Sequence, residues 1–169
     1  MRVGDPRLAL AVEGATAGFH RMIGKLFTDN TAAHGFTRSG RLPSMHDGDL
    51  PRRVEKPWGS ELWFAQTDRY AGKLLQVRAG QRLSLQYHER KDETSFVLSG
   101  RLLLRQGPNA DTLIDTELAT GSAWRNEPGQ VHTIEALEDA VIVEVSTPEL
   151  DDVVRLSDDY GRTTGILEP

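Results

Sequence analysis

Two short stretches of the chain, residues 80–100 and 121–132, carry side chains that could bind a metal ion. The first stretch contributes an amide, an imidazole and a carboxylate, and the second contributes another imidazole. The four metal-capable residues are Gln86, His88, Glu93 and His132. Imidazole nitrogens, a carboxylate oxygen and an amide oxygen together suit a borderline divalent cation such as zinc, iron, manganese, cobalt or nickel.

Residues 82–88 must position the first two of these side chains, and their sequence predicts a β-strand. Side chains of a strand alternate between its two faces, so Gln86 and His88 point the same way. A turn of charged residues follows, and residues 94–99 are rich in β-forming side chains. If the two strands pair, Glu93 faces back toward His88.

His132 lies in a segment with the same character. The dipeptide Pro128-Gly129 is a turn signal, and residues 131–135 alternate as a strand does. The sequence therefore predicts that a second strand presents this imidazole.

The rest of the chain predicts further short strands separated by turns. It contains 16 glycines and 8 prolines. The predicted strands are 61–65, 73–77, 101–106, 112–118, 122–124, 140–146 and 153–156. About ten short strands in all indicate a closed or sandwiched β architecture. Residues 140–146 are apolar except for Glu144, which is typical of a buried strand.

The spacing of these residues resembles the two-part motif of the cupins, which are small double-stranded β-helix barrels. In cupins a glycine stands six positions before a ligand-x-His pair, four residues separate that histidine from a glutamate, and six more precede a second glycine. The residues that match are Gly80, Gln86, His88, Glu93 and Gly100, followed in the second part by Gly121, Gly129 and His132. The resemblance implies an all-β jelly-roll barrel over residues 51–163, with an N-terminal extension (1–50) and a short tail (164–169).

Two residues depart from the cupin motif. The first ligand is usually histidine and is here Gln86, and the usual proline of the second part would fall on Glu127, one position before Pro128. The Gln-x-His pair, with a glutamate and a distal histidine, is similar to the zinc site of mannose-6-phosphate isomerases.

The flanking segments extend this resemblance to the C-terminal cupin of the bifunctional type II isomerases. Lys56-Pro57-Trp58-Gly59 resembles its opening Arg-Pro-Trp-Gly, residues 84–86 resemble its ligand strand, and residues 159–162 resemble its closing segment. The resemblance implies an aldose–ketose isomerase of a sugar phosphate, with zinc as the first candidate metal.

The same resemblance suggests where a phosphate would bind, although it identifies no catalytic base. Lys73 and Arg162 lie in segments similar to the type II enzymes, and Arg82 shares the predicted ligand face of its strand. Cationic side chains bind phosphate through charge-assisted hydrogen bonds. Glu127 and Glu135 flank the second ligand stretch, and either could act as a base or simply be exposed.

Two other functions fit the same residues. Glu93 with the two histidines alone would form the triad typical of non-haem Fe(II) enzymes that use O2, although Gln86 would then fill a position that O2 or substrate needs. A stand-alone cupin could also bind a sugar without turnover, because the nucleotidyltransferase of the bifunctional proteins does not fit within residues 1–50.

Composition excludes several classes of partner and site. The net charge is −5, the pI is about 5.5, and no basic stripe indicates nucleic-acid binding. No apolar run approaches the roughly 20 residues of a membrane helix. The absence of cysteine excludes disulfides and thiolate ligands. With no recognisable signal peptide, we expect a cytoplasmic protein.

The N-terminal extension and the state of association are open to more than one interpretation. Apolar residues recur at helical spacing over 6–28, which predicts an amphipathic helix that packs on the barrel or on a second subunit; a targeting peptide is the other interpretation. The face of strand 82–88 that carries Leu83, Leu85 and Tyr87 must be covered by another sheet, by this arm or by a partner chain. Many cupins pair, and we expect a homodimer.

Overall fold

The structure is a computed structural model, and it describes residues 50–162 and the backbone of residues 165–166. The predicted helix over 6–28 therefore lies outside the described residues. The strands are β1 (Arg52–Lys56), β2 (Gly59–Gln66), β3 (Ala71–Val77), β4 (Leu85–Tyr87), β5 (Glu93–Ser99), β6 (Arg101–Gly107), β7 (Ile114–Ala119), β8 (Ala123–Asn126), β9 (Val131–Ala136), β10 (Ala140–Ser146), β11 (Val154–Ser157) and β12 (Gly165–Ile166). Within the described part of the chain we find no helical segment with the length and hydropathy that a membrane crossing requires.

The strands form two six-stranded sheets. Sheet A has the order β1-β2-β3-β10-β5-β8, and sheet B has the order β12-β11-β4-β9-β6-β7. Neighbouring strands are antiparallel. The expectation of an all-β fold built from two layers is confirmed.

The core draws apolar side chains from both sheets. Leu75, Val97 and Ile142 project from sheet A, and Leu102 and Ile134 project from sheet B. All are buried, because strand periodicity places alternate residues on the face that meets the other sheet. Two sheets that each bury one face in this way form a single core, from which polar groups are expelled unless they are partnered.

The alternation of side chains along β10 places one charged residue in the interior between the sheets. Ile142 points into the core, and Glu144, two residues later, is on the same face and is only 8% exposed. Val145 between Glu144 and Ser146 is 50% exposed. The apolar run that predicted a fully buried strand therefore contains one inward carboxylate, near the end where β10 pairs with the start of β5.

The expectation that residues 82–88 form one continuous strand with Leu83 turned away from the ligands is wrong. Strand β4 covers only Leu85–Tyr87, and Arg82 makes an isolated bridge to Glu135. The register to β9 shifts by one residue between the pairs Arg82–Glu135 and Gln86–His132, and the Thr133 hydroxyl donates to the Leu83 carbonyl within this irregularity (2.8 Å). Leu83 packs against the core.

Gly100 permits the tight connection between β5 and β6. Its φ is 88°, in the left-handed region that favours glycine. A Cβ at this position would lie 2.4 Å from the carbonyl oxygen of Asp139. The turn between β5 and β6 therefore needs glycine for both its conformation and its space.

A candidate metal centre and the adjoining cleft

Three of the four predicted metal ligands converge between the sheets. Glu93 opens β5 in sheet A, His132 lies in β9 of sheet B, and His88 directly follows β4. The Nε2 atoms of His88 and His132 lie 3.5 and 3.3 Å from the two carboxylate oxygens of Glu93. One potential ligand atom from each residue falls within 4.8 Å of the others, and all three residues are buried.

The other ring nitrogen of each histidine meets a backbone carbonyl. Nδ1 of His88 contacts the carbonyl of Asp152, and Nδ1 of His132 lies 2.9 Å from the carbonyl of Gln130. A carbonyl can only accept, so each Nδ1 carries a proton, and in the neutral imidazole the Nε2 then presents its lone pair toward Glu93. Neither buried Nε2 has a hydrogen-bond partner among the described residues. Two lone pairs and a carboxylate therefore face one another, an arrangement that a cation would relieve.

Glu93 is held from both sides. Its Oε1 accepts a hydrogen bond from Nδ2 of Asn126 (2.8 Å), and its Oε2 accepts one from the Lys91 ammonium. Gln106 donates to Oδ1 of Asn126 (2.7 Å), which fixes the amide in that orientation. Burial by itself would raise the pKa of Glu93, but the Lys91 ammonium and the imidazoles of His132 and His88 together hold the pKa well below its usual range. The carboxylate is therefore ionised and ready to ligate.

Gln86 lies beside the three converging residues. It pairs in register with His132 across β4 and β9, and its Oε1 accepts a hydrogen bond from the Ser84 hydroxyl (2.7 Å). Side chains of such cross-strand pairs share a face, so the amide lies next to the imidazole. Its role as a fourth ligand stays a prediction.

The donor set fits a borderline divalent ion. Two neutral imidazoles and one ionised carboxylate are the ligands of several zinc and iron sites. The backbone carbonyls that orient the imidazoles, and the Asn126 amide that orients the carboxylate, are the kind of support that such ligands need. The described residues could therefore hold a metal through His88, Glu93 and His132.

A cleft of about 110 Å³ opens beside these ligands. Residues on its wall include Trp58, Gln86, His88, Glu93, Leu150 and Arg155. A second, smaller cavity of about 40 Å³ lies on the His132 side, between Trp124 and Ile142. A ligand in the cleft would reach His88 and Glu93 directly.

Alternating charges line the cleft wall on sheet A. Lys91 contacts Glu144 (2.9 Å), and Lys73 lies 3.8 Å from Glu144 and 3.9 Å from Glu61. Lys56 lies 3.5 Å from the same Glu61. Burial would lower the pKa of Lys91, but the carboxylates of Glu144 and Glu93 raise it above its usual range. Lys91 is therefore charged, and each of the three lysines lies within 4 Å of at least one carboxylate.

The structure separates the three predicted phosphate-binding residues. Lys73 and Arg162 line the cleft, whereas Arg82 lines neither cavity. Arg82 instead forms an ion pair with Asp159 (Nε–Oδ2 3.0 Å), and its side chain is 38% exposed. Lys73 lies 4.4 Å from the ring centre of Trp63, and Arg162 pairs with Asp158 (Nε–Oδ1 3.0 Å).

The two carboxylates that flank the second ligand stretch also lie outside both cavities. Glu127 pairs with Arg125 (2.7 Å), and Glu135 pairs with Arg105 (3.0 Å). Sequence reasoning missed four residues of the site and the cleft, namely Asn126, Glu144, Asp152 and Arg155. Of these, only Glu144 carried a signal, as the single charge in an apolar strand.

Residues 44–158 match the family described as "Mannose-6-phosphate isomerase C-terminal". The xanthan biosynthesis protein XanB of Xanthomonas campestris is 31% identical over 118 residues, which are 66% of this chain and 24% of XanB. A mannose-1-phosphate guanylyltransferase of Escherichia coli is 31% identical over 126 residues, 72% of this chain and 26% of that protein. The chain thus spans about a quarter of the length of these curated relatives.

Solved structures of other proteins share the fold. KdgF from a Halomonas species has a TM-score of 0.50 and 21% identity, covering 66% of this chain and 95% of KdgF. A double-stranded β-helix domain protein from Klebsiella pneumoniae has a TM-score of 0.51 and 21% identity, with coverages of 66% and 90%. The capsular polysaccharide assembling protein CapF from Staphylococcus aureus gives 0.52 and 24%, with coverages of 76% and 37%. These likenesses confirm the cupin-type double-stranded β-helix expected from the sequence.

Proposed function

The chain belongs to the mannose-6-phosphate isomerase C-terminal family, and we propose that it is a metal-dependent aldose–ketose isomerase of a phosphorylated sugar. One relative named above is a mannose-1-phosphate guanylyltransferase and another is a xanthan biosynthesis protein, and the sugar phosphate in the first name supports this class of substrate. The chain covers only about a quarter of their length, so the reaction itself is inferred from the site.

One observation carries the proposal. The two buried Nε2 atoms, of His88 and His132, have no hydrogen-bond partner in the part of the chain that the structure describes, and they face an ionised carboxylate. A buried acceptor without a donor costs about 1–3 kcal/mol, so a protein that keeps two of them in contact distance of Glu93 gains from a bound cation. We assign the metal to His88, Glu93 and His132, with Gln86 as fourth ligand and zinc as the first candidate ion.

The metal ligands and the carboxylates of the cleft would have different roles in isomerisation. A divalent ion bound by these ligands would supply polarisation of the C1 and C2 oxygens of an open-chain sugar. Proton transfer between C1 and C2 then needs a base, and we assign Glu144. Its two lysine contacts are both made by Oε1, so Oε2 is available to exchange a proton with a ligand.

Glu61 is the other carboxylate of the cleft, but it is a poorer base. Its Oε2 accepts a hydrogen bond from the Trp63 indole (2.8 Å). Lysines lie within 4 Å of both of its oxygens. Both carboxylate oxygens of Glu61 are therefore occupied, and neither is free to exchange a proton with a ligand.

The test is interconversion of mannose 6-phosphate and fructose 6-phosphate by the purified chain, stripped with chelator and reloaded with zinc, manganese, cobalt or iron. We expect turnover that requires metal and is lost in Glu144→Gln and His132→Ala. Arg82→Gln is the matched control, because Arg82 pairs with Asp159 outside the cleft, and it should retain activity. No turnover with any of these metals would overturn the isomerase proposal.

A second enzyme class is favoured by one contact. Oε1 of Gln86 accepts a hydrogen bond from Ser84, so the amide oxygen is already engaged and His88, Glu93 and His132 could bind metal as a three-residue triad. That triad suits Fe(II) and O2 chemistry. Oxygen consumption by the Fe(II) form, with no isomerisation, would support this class. Saccharide binding without either reaction would indicate a non-catalytic sugar-binding cupin.

We further propose a cytoplasmic homodimer. Its support is an apolar strip on the outer face of sheet A, where Phe96 and Val145 are 41% and 50% exposed on adjacent strands. Exposed apolar side chains on neighbouring strands are typical of a surface that another chain covers. Light scattering after size exclusion should give twice the chain mass, and Phe96→Glu should give a monomer. A monomeric unsubstituted chain would contradict the proposal.

A further inference from the structure

Arg155 is a cation of the cleft that has no carboxylate within ion-pair distance among the described residues. The other cations lining the cleft are each paired within 4 Å: Lys56 with Glu61, Lys73 with Glu61 and Glu144, Lys91 with Glu93 and Glu144, and Arg162 with Asp158. Among the described residues Arg155 has no ion pair, and its buried Nε has no hydrogen-bond partner. A buried guanidinium N–H without an acceptor costs free energy, and an anionic ligand would remove that cost.

The surroundings of Arg155 favour an anion over a neutral group. Burial and the positive charge of Arg162 lower the pKa of its guanidinium below the usual range, and they outweigh the carboxylates of Asp158 and Glu61, which lie beyond ion-pair distance. Two guanidinium groups that repel each other in one cleft are both stabilised by a shared dianion. Arg162 is already paired with Asp158, so an anionic ligand would stabilise the Arg155 guanidinium more than that of Arg162.

The strand register places Arg155 in line with the candidate metal site. Arg155 of β11 pairs with Gln86 of β4, and Gln86 pairs with His132 of β9. Cross-strand partners share a face, so the three side chains form a row about 10 Å long at the backbone. The register of β11 shifts between Arg155 and Ser157, and such bulges redirect side chains next to binding sites.

We propose that Arg155 is the principal anchor of an anionic group in the cleft, and that this group is the phosphate of the sugar phosphate. A phosphorylated six-carbon sugar is long enough to place its phosphate at Arg155 and its reacting oxygens near His88 and Glu93. Arg162 assists as the second guanidinium, and Lys73, already between two carboxylates, contributes little. The identity of the anion as a sugar phosphate rests on the proposed function, whereas the anion site does not.

The test is equilibrium binding to the metal-free protein, followed by ³¹P NMR, with inorganic phosphate and mannose 6-phosphate as ligands and mannose as the neutral control. We expect Arg155→Met to lower the affinity for both phosphate ligands by about tenfold to a hundredfold, because it removes a pair of charged hydrogen-bond donors. Arg155→Lys should lose less, because it keeps the charge without the planar fork. Arg82→Met is the matched control and should bind like the unsubstituted protein, and melting temperatures verify that each variant is folded.

Each outcome bears on a different claim. Phosphate binding that is unchanged in both folded Arg155 variants, or equally weakened in Arg82→Met, would overturn the anion site. Binding that depends on Arg155 but is accompanied by no isomerisation would uphold the anion site and overturn the isomerase. Inorganic phosphate that binds through Arg155 while mannose 6-phosphate does not would overturn the sugar-phosphate identity of the ligand.

Discussion

Asp152 orients His88 through its backbone and fixes the following loop through its side chain. Its carbonyl oxygen accepts from Nδ1 of His88, while its carboxylate accepts from the backbone N–H groups of Glu89 (3.1 Å), Arg90 (2.6 Å) and Lys91 (2.8 Å). Burial would raise the pKa of Asp152, but these backbone donors lower it below the usual range. Asp152, which precedes β11, therefore sets the orientation of a candidate metal ligand and the path of the chain toward Glu93.

Substituting Asp152 by alanine should weaken both folding and metal binding. Three N–H groups lose their acceptor, and we expect a loss of about 2–4 kcal/mol in the free energy of unfolding. Displacement of the loop should lower zinc affinity by roughly tenfold or more, because losing a residue that orients a metal ligand commonly has an effect of this size. Urea unfolding and competition with a chromophoric zinc chelator measure the two effects. The exposed neighbour Asp151→Ala is the control, and equal losses there would contradict this role.

Zinc should stabilise the folded chain through the three converging ligands. An ion present at about 100 times its Kd adds about 2.7 kcal/mol to the free energy of unfolding. We expect a rise in melting temperature that a chelator reverses and that His132→Ala abolishes. Glu127→Gln, a change at an exposed carboxylate paired with Arg125, should preserve the rise. A zinc response that survives in His132→Ala would exclude this residue as a ligand.

Replacing Gln86 by histidine should tighten zinc binding. An imidazole nitrogen is a better zinc ligand than an amide oxygen, and position 86 of β4 lies on the same face of sheet B as its cross-strand partner His132. Gln86→Ala should weaken binding, by about tenfold if the amide is a ligand. Ser84→Ala separates the two contributions, because it removes only the hydrogen bond to Oε1. Identical zinc affinity in all three variants would show that position 86 contributes no ligand.

Glu144→Gln should reduce turnover far more than it reduces zinc affinity. Loss of a general base commonly costs about 10²–10⁴-fold in kcat. The same change removes one of the charges that compensates Lys91, so the free energy of unfolding should fall by up to about 3–5 kcal/mol. Steady-state kinetics of the zinc form, zinc titration and urea unfolding separate the effects. A kcat within a few-fold of the unsubstituted protein would reject Glu144 as the base.

The pairing of Asp158 with Arg162 should make stability depend on pH in the acid range. Burial raises the pKa of Asp158, but the hydrogen bonds from Arg162 outweigh this and lower the pKa below the ordinary 3.8. A lowered carboxyl pKa in the folded state stabilises the fold above the unfolded value, and this contribution disappears as pH falls through the folded value.

The difference in unfolding free energy between the unsubstituted protein and Asp158→Asn should therefore be constant from pH 7 to about 5 and shrink below about 4. Urea unfolding across this range measures it. The exposed Asp68→Asn is the control. A difference that grows on acidification would contradict the ion-pair explanation.

The sequence by itself indicated the class of fold and identified the three residues that converge in the candidate centre, His88, Glu93 and His132. Side-chain alternation and turn residues are local properties, so the spacing of Gln86 and His88, the glycine at position 100 and the alternation around His132 could be interpreted from the sequence alone. The same local argument failed at residues 82–84, because the register to β9 shifts by one residue between Arg82 and Gln86.

Only the tertiary structure decided what surrounds those ligands. Glu144 reaches the site because β10 pairs with β5, and Arg155 reaches it because β11 pairs with β4 beyond a register shift. Arg82 leaves the cleft because Asp159, 77 residues later in the chain, binds it at the surface. Pairings between distant strands depend on the packing of the whole core, and local periodicity indicates which face a side chain takes but not what that face meets.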